Sequence, residues 1–159
     1  MDKHYIPNTK GVIFANKNKF SFSIDSILLS YFSKVKKDKI LIDIGAGTGI
    51  IGFRINFLNN LKTVYLIEIQ KENAKLIEHS IVENKLNNVI LLNKDLKECY
   101  NDFENSSVDY IVSNPPYKKM NTGILNKDEN FLISRCEYAL KLEDILDFSY
   151  KKLKSGGKV

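Results

Sequence analysis

The stretch KILIDIGAGTG, residues 39–49, decides which fold is expected for this chain. Its first six residues have the pattern of a short buried strand, and a glycine-rich turn follows directly. Gly45, Gly47 and Gly49 allow a tight turn and let backbone N–H groups approach a ligand just before a helix N-terminus. The spacing D-x-G-x-G-x-G from Asp43 is neither the dinucleotide-binding G-x-G-x-x-G nor a P-loop. An ordinary strand-to-helix turn needs no such run of glycines, so this loop is a candidate ligand site.

Strand and helix patterns alternate along the rest of the chain. The predicted strands are residues 39–44, 63–69, 89–92 and 108–113, and the predicted helices are residues 50–58, 70–86, 129–140 and 142–153. This alternation is typical of βαβ units and predicts an α/β fold, a mostly parallel sheet with helices on both faces. Ligands of such sheets bind at the carboxyl ends of the strands, so the site is expected there.

A short N-terminal segment, residues 1–35, is expected to precede the core domain, residues 36–159. Two apolar or aromatic runs, residues 12–15 and 20–22, flank Asn16-Lys17-Asn18 and predict a β-hairpin. The helix pattern that follows places four apolar side chains on one face, which are Ile24, Ile27, Leu28 and Phe32.

The second and third predicted strands each lead to an acidic residue. Glu68 lies 19 residues after Gly49, where a carboxylate can accept hydrogen bonds from both hydroxyls of a ribose. Asp95 could accept a hydrogen bond from an adenine amino group, with Leu96 against the ring. Each acid taken singly could also be a solvated or loop-capping charge. Together with the glycine loop they predict a pocket for an adenosine nucleoside.

The fourth predicted strand ends in Asn114-Pro115-Pro116-Tyr117, the most informative tetrapeptide of the chain. Two consecutive prolines remove two N–H donors and stiffen the loop. The Asn114 side-chain oxygen and the Pro115 carbonyl could therefore accept both N–H bonds of one planar amino group. Tyr117 offers a flat face on which a base can stack. A proline-rich turn without function is the alternative, and a position beside a nucleoside pocket disfavours it.

These motifs resemble the class I S-adenosylmethionine-dependent methyltransferases of the amino-group (NPPY) type over essentially the whole chain. Within that class the chain is similar to the bacterial tRNA1(Val) adenine N6-methyltransferases, which modify an adenosine beside the anticodon. Residues 20–29, 134–137 and 142–145 support this subfamily, although Cys136 stands where the subfamily usually has His. The resemblance implies a Rossmann-like domain, S-adenosylmethionine as cofactor, tRNA as partner and no metal ion.

The resemblance also implies the residues of the site. The expected cofactor-binding residues are Asp43, Gly45, Ala46, Gly47, Gly49, Glu68, Ile69, Asp95, Leu96 and Asn114. The expected catalytic residues are Asn114, Pro115 and Tyr117. Accepting both N–H bonds of an exocyclic amine favours a pyramidal nitrogen whose lone pair can attack, so positioning supplies most of the rate. The base must leave its stack to reach the pocket, and five lysines could contact phosphates: Lys10, Lys17, Lys19, Lys118 and Lys119.

Composition is compatible with this interpretation without proving it. The chain has 24 basic and 19 acidic residues, a net charge of +5 that suits a nucleic-acid partner. Lysine outnumbers arginine 22 to 2, and such a bias also arises from an AT-rich coding sequence. No apolar run reaches the roughly 18 residues of a membrane span, and Cys99 and Cys136 lack metal-site spacing. We therefore expect free thiols and a cytoplasmic location.

Several alternatives remain open at this stage. Protein glutamine N5-methylation uses the same tetrapeptide, and methylation of ribosomal RNA uses the same pocket. DNA adenine methylation is disfavoured because no target-recognition domain is evident. An inactive S-adenosylmethionine- or RNA-binding module is the alternative outside enzymes. Class I sheets have seven strands, and residues 156–159 fall where the fifth begins, so we expect the cofactor-binding part of a longer enzyme, incomplete at its C-terminus.

Overall fold

The computed structural model describes residues 1–16, 23–115 and 140–159. A five-stranded parallel sheet forms the centre of this described part, in the order β5-β4-β3-β6-β7. Its strands are β3 (Ile40–Ile44), β4 (Thr63–Ile67), β5 (Val89–Leu92), β6 (Val108–Ser113) and β7 (Leu153–Lys158). The helices are α1 (Ile24–Phe32), α2 (Ile50–Asn59), α3 (Lys71–Glu83), α4 (Leu142–Lys152) and a 3-10 helix at Leu96–Asn101. Two further strands, β1 (Asp2–Tyr5) and β2 (Val12–Ala15), form an antiparallel hairpin.

The central strand β3 is buried on both faces, which explains why its sequence is apolar at every position except Asp43. Leu41 belongs to an apolar cluster that includes Phe53 of α2 and Ile77 of α3. Ile42 points to the opposite face and joins a second cluster with Phe148 of α4. Each such fully buried side chain contributes about 1.5–3 kcal/mol to folding. The predicted α/β architecture with helices on both faces is confirmed.

The N-terminal hairpin differs from the prediction. Residues 12–15 form β2 as expected, but the strand paired with β2 in the described residues is β1, from Asp2↔Ala15 to Tyr5↔Val12. Residues 20–22 lie outside the described residues. The sequence of β1 is polar, and alternate residues of this strand are exposed. Because β1 contains no apolar run, the sequence pattern did not predict it. Asn84, at the C-terminal end of α3, connects this helix to the hairpin. Its Oδ1 accepts the N–H of Val12 and its Nδ2 donates to the Val12 carbonyl.

Helix α1 forms where predicted, but it turns a different face to the protein. Ile24, Leu28 and Phe32 are 77%, 47% and 66% exposed, whereas Ser26 and Ser30 are buried. Of the four apolar residues that the helix pattern placed on one face, Ile27 packs against the core and these three are largely exposed.

The cause is a buried arginine on the neighbouring helix. Arg54 of α2 donates from Nη1 to Ser30 Oγ at 2.8 Å and from Nε to the Pro7 carbonyl at 3.2 Å. A buried guanidinium must be hydrogen-bonded, and the serine face of α1 supplies an acceptor that an apolar face could not.

The C-terminal part of the chain supplies the fifth strand. Strand β7 pairs with β6 in parallel, with a register shift between Val108 and Tyr110. The predicted helix at 142–153 is α4, and residues 129–139 of the other predicted helix lie outside the described residues. The division at residue 35 stays a prediction. None of the helices in the described ranges is long and apolar enough to cross a membrane.

Candidate functional site

The carboxyl ends of β3, β4 and β6 meet at one edge of the sheet. Ile44 pairs with Ile67 of β4 and with Ser113 of β6, and each of these residues ends its strand. Gly45, Glu68 and Asn114 therefore leave three adjacent strands at the same level. The structure thus brings the predicted loop, the predicted ribose acid and the predicted catalytic asparagine to one place.

The glycine loop depends on backbone conformations that favour glycine. Gly45, Gly47 and Gly49 have φ of 68°, 60° and 82°. A Cβ at Gly49 would lie 2.6 Å from the ring of Phe53, so α2 packs directly on this residue. A Cβ at Gly47 would meet nothing within 4 Å. The middle of the loop therefore faces open space, where a ligand can approach its backbone.

Asp43 is a fully buried carboxylate beneath this loop. Its Oδ2 accepts the N–H of Gly52 at 2.9 Å, whereas its Oδ1 has no hydrogen-bond partner in the described part of the chain. Burial raises the pKa of Asp43 from 3.8 to about 7; the Gly52 N–H opposes the rise and the nearby Glu68 adds to it. An orphaned buried acceptor that resists ionisation is suited to a cationic ligand group, which would favour the charged form.

Glu68 connects the second strand end to the glycine loop. Its Oε2 accepts the N–H of Gly47 and its Oε1 accepts the N–H of Gln70, both at 2.7 Å. Burial raises the pKa of Glu68, and hydrogen bonds from the N–H groups of Gln70 and Gly47, the Asn73 side chain and the Ile69 N–H oppose that rise. The predicted ribose-binding carboxylate is thus held in place by a hydrogen bond from the glycine loop.

Three further residues predicted to bind the cofactor, which are Ile69, Asp95 and Leu96, lie in different surroundings. Ile69 follows Glu68 and is 43% exposed, so it offers apolar surface at the strand ends. Leu96 is only 3% exposed and packs in the cluster under the sheet, so the structure does not present it to this edge. Asp95 caps the 3-10 helix, since its Oδ1 accepts the Lys97 N–H at 2.9 Å. The loop-capping interpretation of Asp95 is therefore realised, and an adenine contact by it stays a prediction.

Asn114 follows β6 directly and lies at the same strand-end edge as the glycine loop. The hydroxyl of Ser113 donates to the Ile44 carbonyl at 2.8 Å, which fixes the ends of β6 and β3 together. The side-chain Nδ2 of Asn114 lies 3.3 Å from Ser26 Oγ, to which it donates. Pro115 is half-buried next to it, whereas Pro116 and Tyr117 lie outside the described residues.

Ser26 is a member of this site that the sequence pattern did not indicate. The spacing of Ser23 and Ser26 could have revealed a helix N-cap, because the Ser23 side chain accepts the Ser26 N–H. The contact between Ser26 and Asn114 joins residues 88 positions apart, and no local sequence pattern could predict such a contact.

Other reactive groups do not form a second centre in the described residues. No group of three His, Cys, Asp or Glu side chains in residues 1–16, 23–115 and 140–159 could hold a metal ion. Burial raises the pKa of the Cys99 thiol to about 11, so this cysteine stays protonated at neutral pH. Cys136 lies outside the described residues.

A parallel sheet with a glycine loop after one strand and an acid after its neighbour defines the core of a class I methyltransferase. The chain belongs to the methyltransferase small domain family, whose family model matches residues 10–157. The resemblance drawn from the sequence is thereby confirmed.

Relatives in this family act on different acceptors. The chain is 26% identical over 161 residues to the tRNA1(Val) (adenine(37)-N6)-methyltransferase of Parabacteroides distasonis, over 100% of this chain and 66% of that protein. It is 33% identical over 105 residues to an uncharacterized RNA methyltransferase of Fusobacterium nucleatum, over 64% of this chain and 22% of that protein. It is 27% identical over 123 residues to a release factor glutamine methyltransferase of Mycoplasma mycoides, over 74% and 43% of the respective chains. The chain thus spans between about a fifth and two thirds of these relatives.

Solved structures share the fold. Precorrin-6y C5,15-methyltransferase from Geobacter metallireducens superposes with a TM-score of 0.65 at 16% identity, over 91% of this chain and 64% of that one. TYW2 from M. jannaschii, solved in complex with AdoMet, gives 0.61 at 21% identity, over 96% and 57%. At these identities the likeness concerns the fold.

Proposed function

We propose that this chain is the S-adenosylmethionine-binding and catalytic part of an enzyme that methylates N6 of an adenine in tRNA, beside the anticodon as in tRNA1(Val). The observation that carries the proposal is the position of Asn114, the first residue of the NPPY tetrapeptide. It leaves β6 directly beside the glycine loop that follows β3. An amide that accepts hydrogen bonds from an amine is thus adjacent to a nucleoside pocket. The Parabacteroides distasonis relative, which aligns over the whole chain, supports the choice of acceptor.

The residues present fit S-adenosylmethionine. Asp43 supplies an orphaned carboxylate oxygen for the ammonium of the amino-acid moiety. Glu68 supplies carboxylate lone pairs for the ribose hydroxyls, and Ile69 supplies exposed apolar surface for the adenine. When bound, this cofactor supplies an electrophilic methyl group on a sulfonium.

The side chain of Asn114 and the carbonyl of Pro115, at the end of β6, are proposed to hold the amine that receives the methyl group. The Asn114 Oδ1 and the Pro115 carbonyl accept the two N–H bonds of the acceptor amine, so its nitrogen lone pair is free to attack. Because the amine is held by two acceptors, positioning and hydrogen bonding lower the barrier without a strongly basic side chain. Tyr117 is assigned the role of stacking against the extruded base.

The proposed methyl acceptor, an adenine in tRNA, makes tRNA the proposed binding partner. A base in folded RNA is turned out of its stack to reach the pocket, and the net charge of +5 favours binding of the phosphate backbone. Lys10 is exposed near the hairpin and is one candidate phosphate contact; the others lie outside the described residues. A cytoplasmic location belongs to the same proposal.

Glutamine N5-methylation of a release factor is the second candidate. It is favoured by the Mycoplasma mycoides relative and by the chemistry, because a side-chain amide presents the same planar N–H₂ group as adenine. Methylation of another RNA has the same requirement. A module that binds S-adenosylmethionine or RNA without transferring a methyl group is the candidate outside enzymes.

The deciding experiment is transfer of a tritiated methyl group to unmodified total tRNA, followed by nucleoside analysis. We expect N6-methyladenosine, and a loss of about 10²–10³-fold in kcat for Asn114→Ala, the size typical of removing one transition-state hydrogen-bond partner. The control is Asn101→Ala, an exposed asparagine at the end of the 3-10 helix. Label in a release factor but not in tRNA would support the second candidate, and cofactor binding without transfer would support the binding module.

A further inference from the structure

Ser26 of α1 lies against Asn114 in a row of three hydrogen-bonded side chains. Asn114 Nδ2 donates to Ser26 Oγ at 3.3 Å, and Ser26 Oγ lies 3.2 Å from Ser23 Oγ. Ser23 is the N-cap of α1, and its Oγ also accepts the backbone N–H of Ser26 at 3.2 Å. The row thus runs from the N-cap of α1 to the end of β6.

The chemistry of the row sets the orientation of the asparagine amide. A serine hydroxyl carries one proton. Either hydroxyl of the Ser23–Ser26 pair can be the donor, and when Ser26 donates to Ser23 its Oγ offers only lone pairs toward Asn114. The observed contact has this sense, because Asn114 Nδ2 donates to Ser26 Oγ and Oδ1 is therefore the atom turned away from Ser26. An acceptor oxygen, rather than a second N–H₂ donor, is what an exocyclic amine requires from this residue.

Helix α1 is a firm support for this contact. Ser30, one turn after Ser26, donates its hydroxyl to the Ile27 carbonyl at 2.7 Å and accepts from buried Arg54 at 2.8 Å. Ser26 and Ser30 are both buried, so little water is available to replace a lost hydroxyl partner. The unexpected inward serine face of α1 thus places Ser26 at a fixed position beside the site.

We infer that Ser26 is a positioning residue, which holds the Asn114 amide with its Oδ1 toward the acceptor amine. The inference rests on the proposed function for its consequence and on the side-chain row for its geometry. Without the Ser26 acceptor the amide loses one of its hydrogen-bond partners, so orientations that present Nδ2 instead of Oδ1 to the amine become more populated. We expect about a tenfold loss in kcat, equivalent to about 1.4 kcal/mol in the barrier.

The kinetic test compares three substitutions at Ser26 with one at Ser30. Ser26→Ala removes the acceptor, Ser26→Cys keeps the volume but offers a weak acceptor, and Ser26→Thr restores a hydroxyl. Ser30→Ala is the comparison variant, since it removes a buried hydroxyl and the Arg54 acceptor from the same helix without contacting Asn114, and so reports the effect of loosening α1 alone. We expect Ser26→Ala and Ser26→Cys to lower kcat for tRNA with the Kd for S-adenosylmethionine unchanged, and Ser26→Thr to recover most of it. Equal kcat values for Ser26→Ala and Ser30→Ala at comparable Tm would overturn the inference.

A second readout separates this inference from the proposed function. The side-chain N–H₂ resonances of Asn114 in protein labelled with ¹⁵N-asparagine can be assigned by their absence in Asn114→Asp. We expect them to shift and exchange faster in Ser26→Ala, to return in Ser26→Thr and to respond less in Ser30→Ala than in Ser26→Ala. Unchanged resonances in Ser26→Ala would refute the contact. If the resonances respond while the wild-type chain methylates neither RNA nor protein, the contact stands and the proposed function fails.

Discussion

The strand-end edge has two parts that are built in different ways: the proposed cofactor side, at the ends of β3 and β4, and the proposed acceptor side, at the end of β6. On the cofactor side, backbone groups of neighbouring strand ends bond one another: the N–H groups of Gly45 and Ala46 both donate to the Ile67 carbonyl, at 2.9 and 3.0 Å. On the acceptor side, the side chain of Asn114 donates to Ser26, which lies on a helix 88 residues earlier in the sequence.

The difference shows how one fold can serve several acceptors. The cofactor side is held by main-chain bonds of the parallel sheet and by the carboxylates of Asp43 and Glu68, which accept backbone N–H groups, so its geometry follows from residues at two neighbouring strand ends. The acceptor side depends on individual side chains and can change with few substitutions, in keeping with relatives that methylate adenine or glutamine. Substitutions on the cofactor side should therefore affect folding and cofactor binding, whereas those at Asn114 and Ser26 should affect transfer.

The largest effect expected on the cofactor side is at Gly49. Gly49→Ala places a Cβ 2.6 Å from the buried ring of Phe53 at a φ of 82°, so strain and overpacking add. We expect the free energy of unfolding to fall by about 3–4 kcal/mol, measured by urea denaturation. Gly47→Ala is the control, because a Cβ there meets open space and costs only the backbone strain, about 1–2 kcal/mol. Equal losses for both variants would show that α2 does not pack on the loop as described.

The next effect is a pH dependence that comes from Asp43. Its pKa is raised to about 7 in the folded chain and is 3.8 without the fold, so between these values the folded state binds more protons than the unfolded state. Stability therefore falls as pH rises from about 4 to about 7, by on the order of 2–4 kcal/mol from this group. The raised pKa of Glu68 acts in the same direction.

The measurement is a series of urea denaturations between pH 4 and pH 8 on wild type and Asp43→Asn. The difference in unfolding free energy between the two should change with pH across this interval and level off above about pH 8. A difference independent of pH would mean that Asp43 is ionised throughout.

A smaller effect is expected at Glu68. Glu68→Gln keeps the shape but loses the charge that strengthens hydrogen bonds to ribose hydroxyls and to the Gly47 N–H. We expect the Kd for S-adenosylmethionine to rise about 10–30-fold, or about 1.4–2 kcal/mol, by calorimetry. Glu78→Gln, an exposed glutamate on α3, is the charge-matched control. A Kd for Glu68→Gln equal to that of the control would remove Glu68 from the cofactor site.

The meeting of Asp43, the three glycines, Glu68 and Asn114 at one edge could be predicted from the sequence, whereas the contact of Asn114 with Ser26 could not. Asp43 lies near the end of β3, the glycines follow that strand and Glu68 follows β4, and parallel strands carry such residues to one edge whatever the rest of the chain does. The location of the Leu96 side chain could not be predicted from the sequence. Leu96 begins a 3-10 helix, and its side chain packs in the buried apolar cluster on one face of the sheet. The inward face of α1 does not follow from the apolar periodicity of the helix, because buried Arg54 takes Ser30 as a hydrogen-bond partner. Long-range polar contacts of this kind leave no periodic signal.

The most direct test of the central claim is calorimetric titration of the chain with S-adenosylmethionine. We predict saturable binding of one cofactor per chain, weakened by Glu68→Gln and left within about twofold by Asn114→Ala, because the asparagine acts chiefly on the acceptor. Absence of binding to the folded wild-type chain would contradict the account, since every step proposed for Asp43, Glu68 and Asn114 depends on that cofactor.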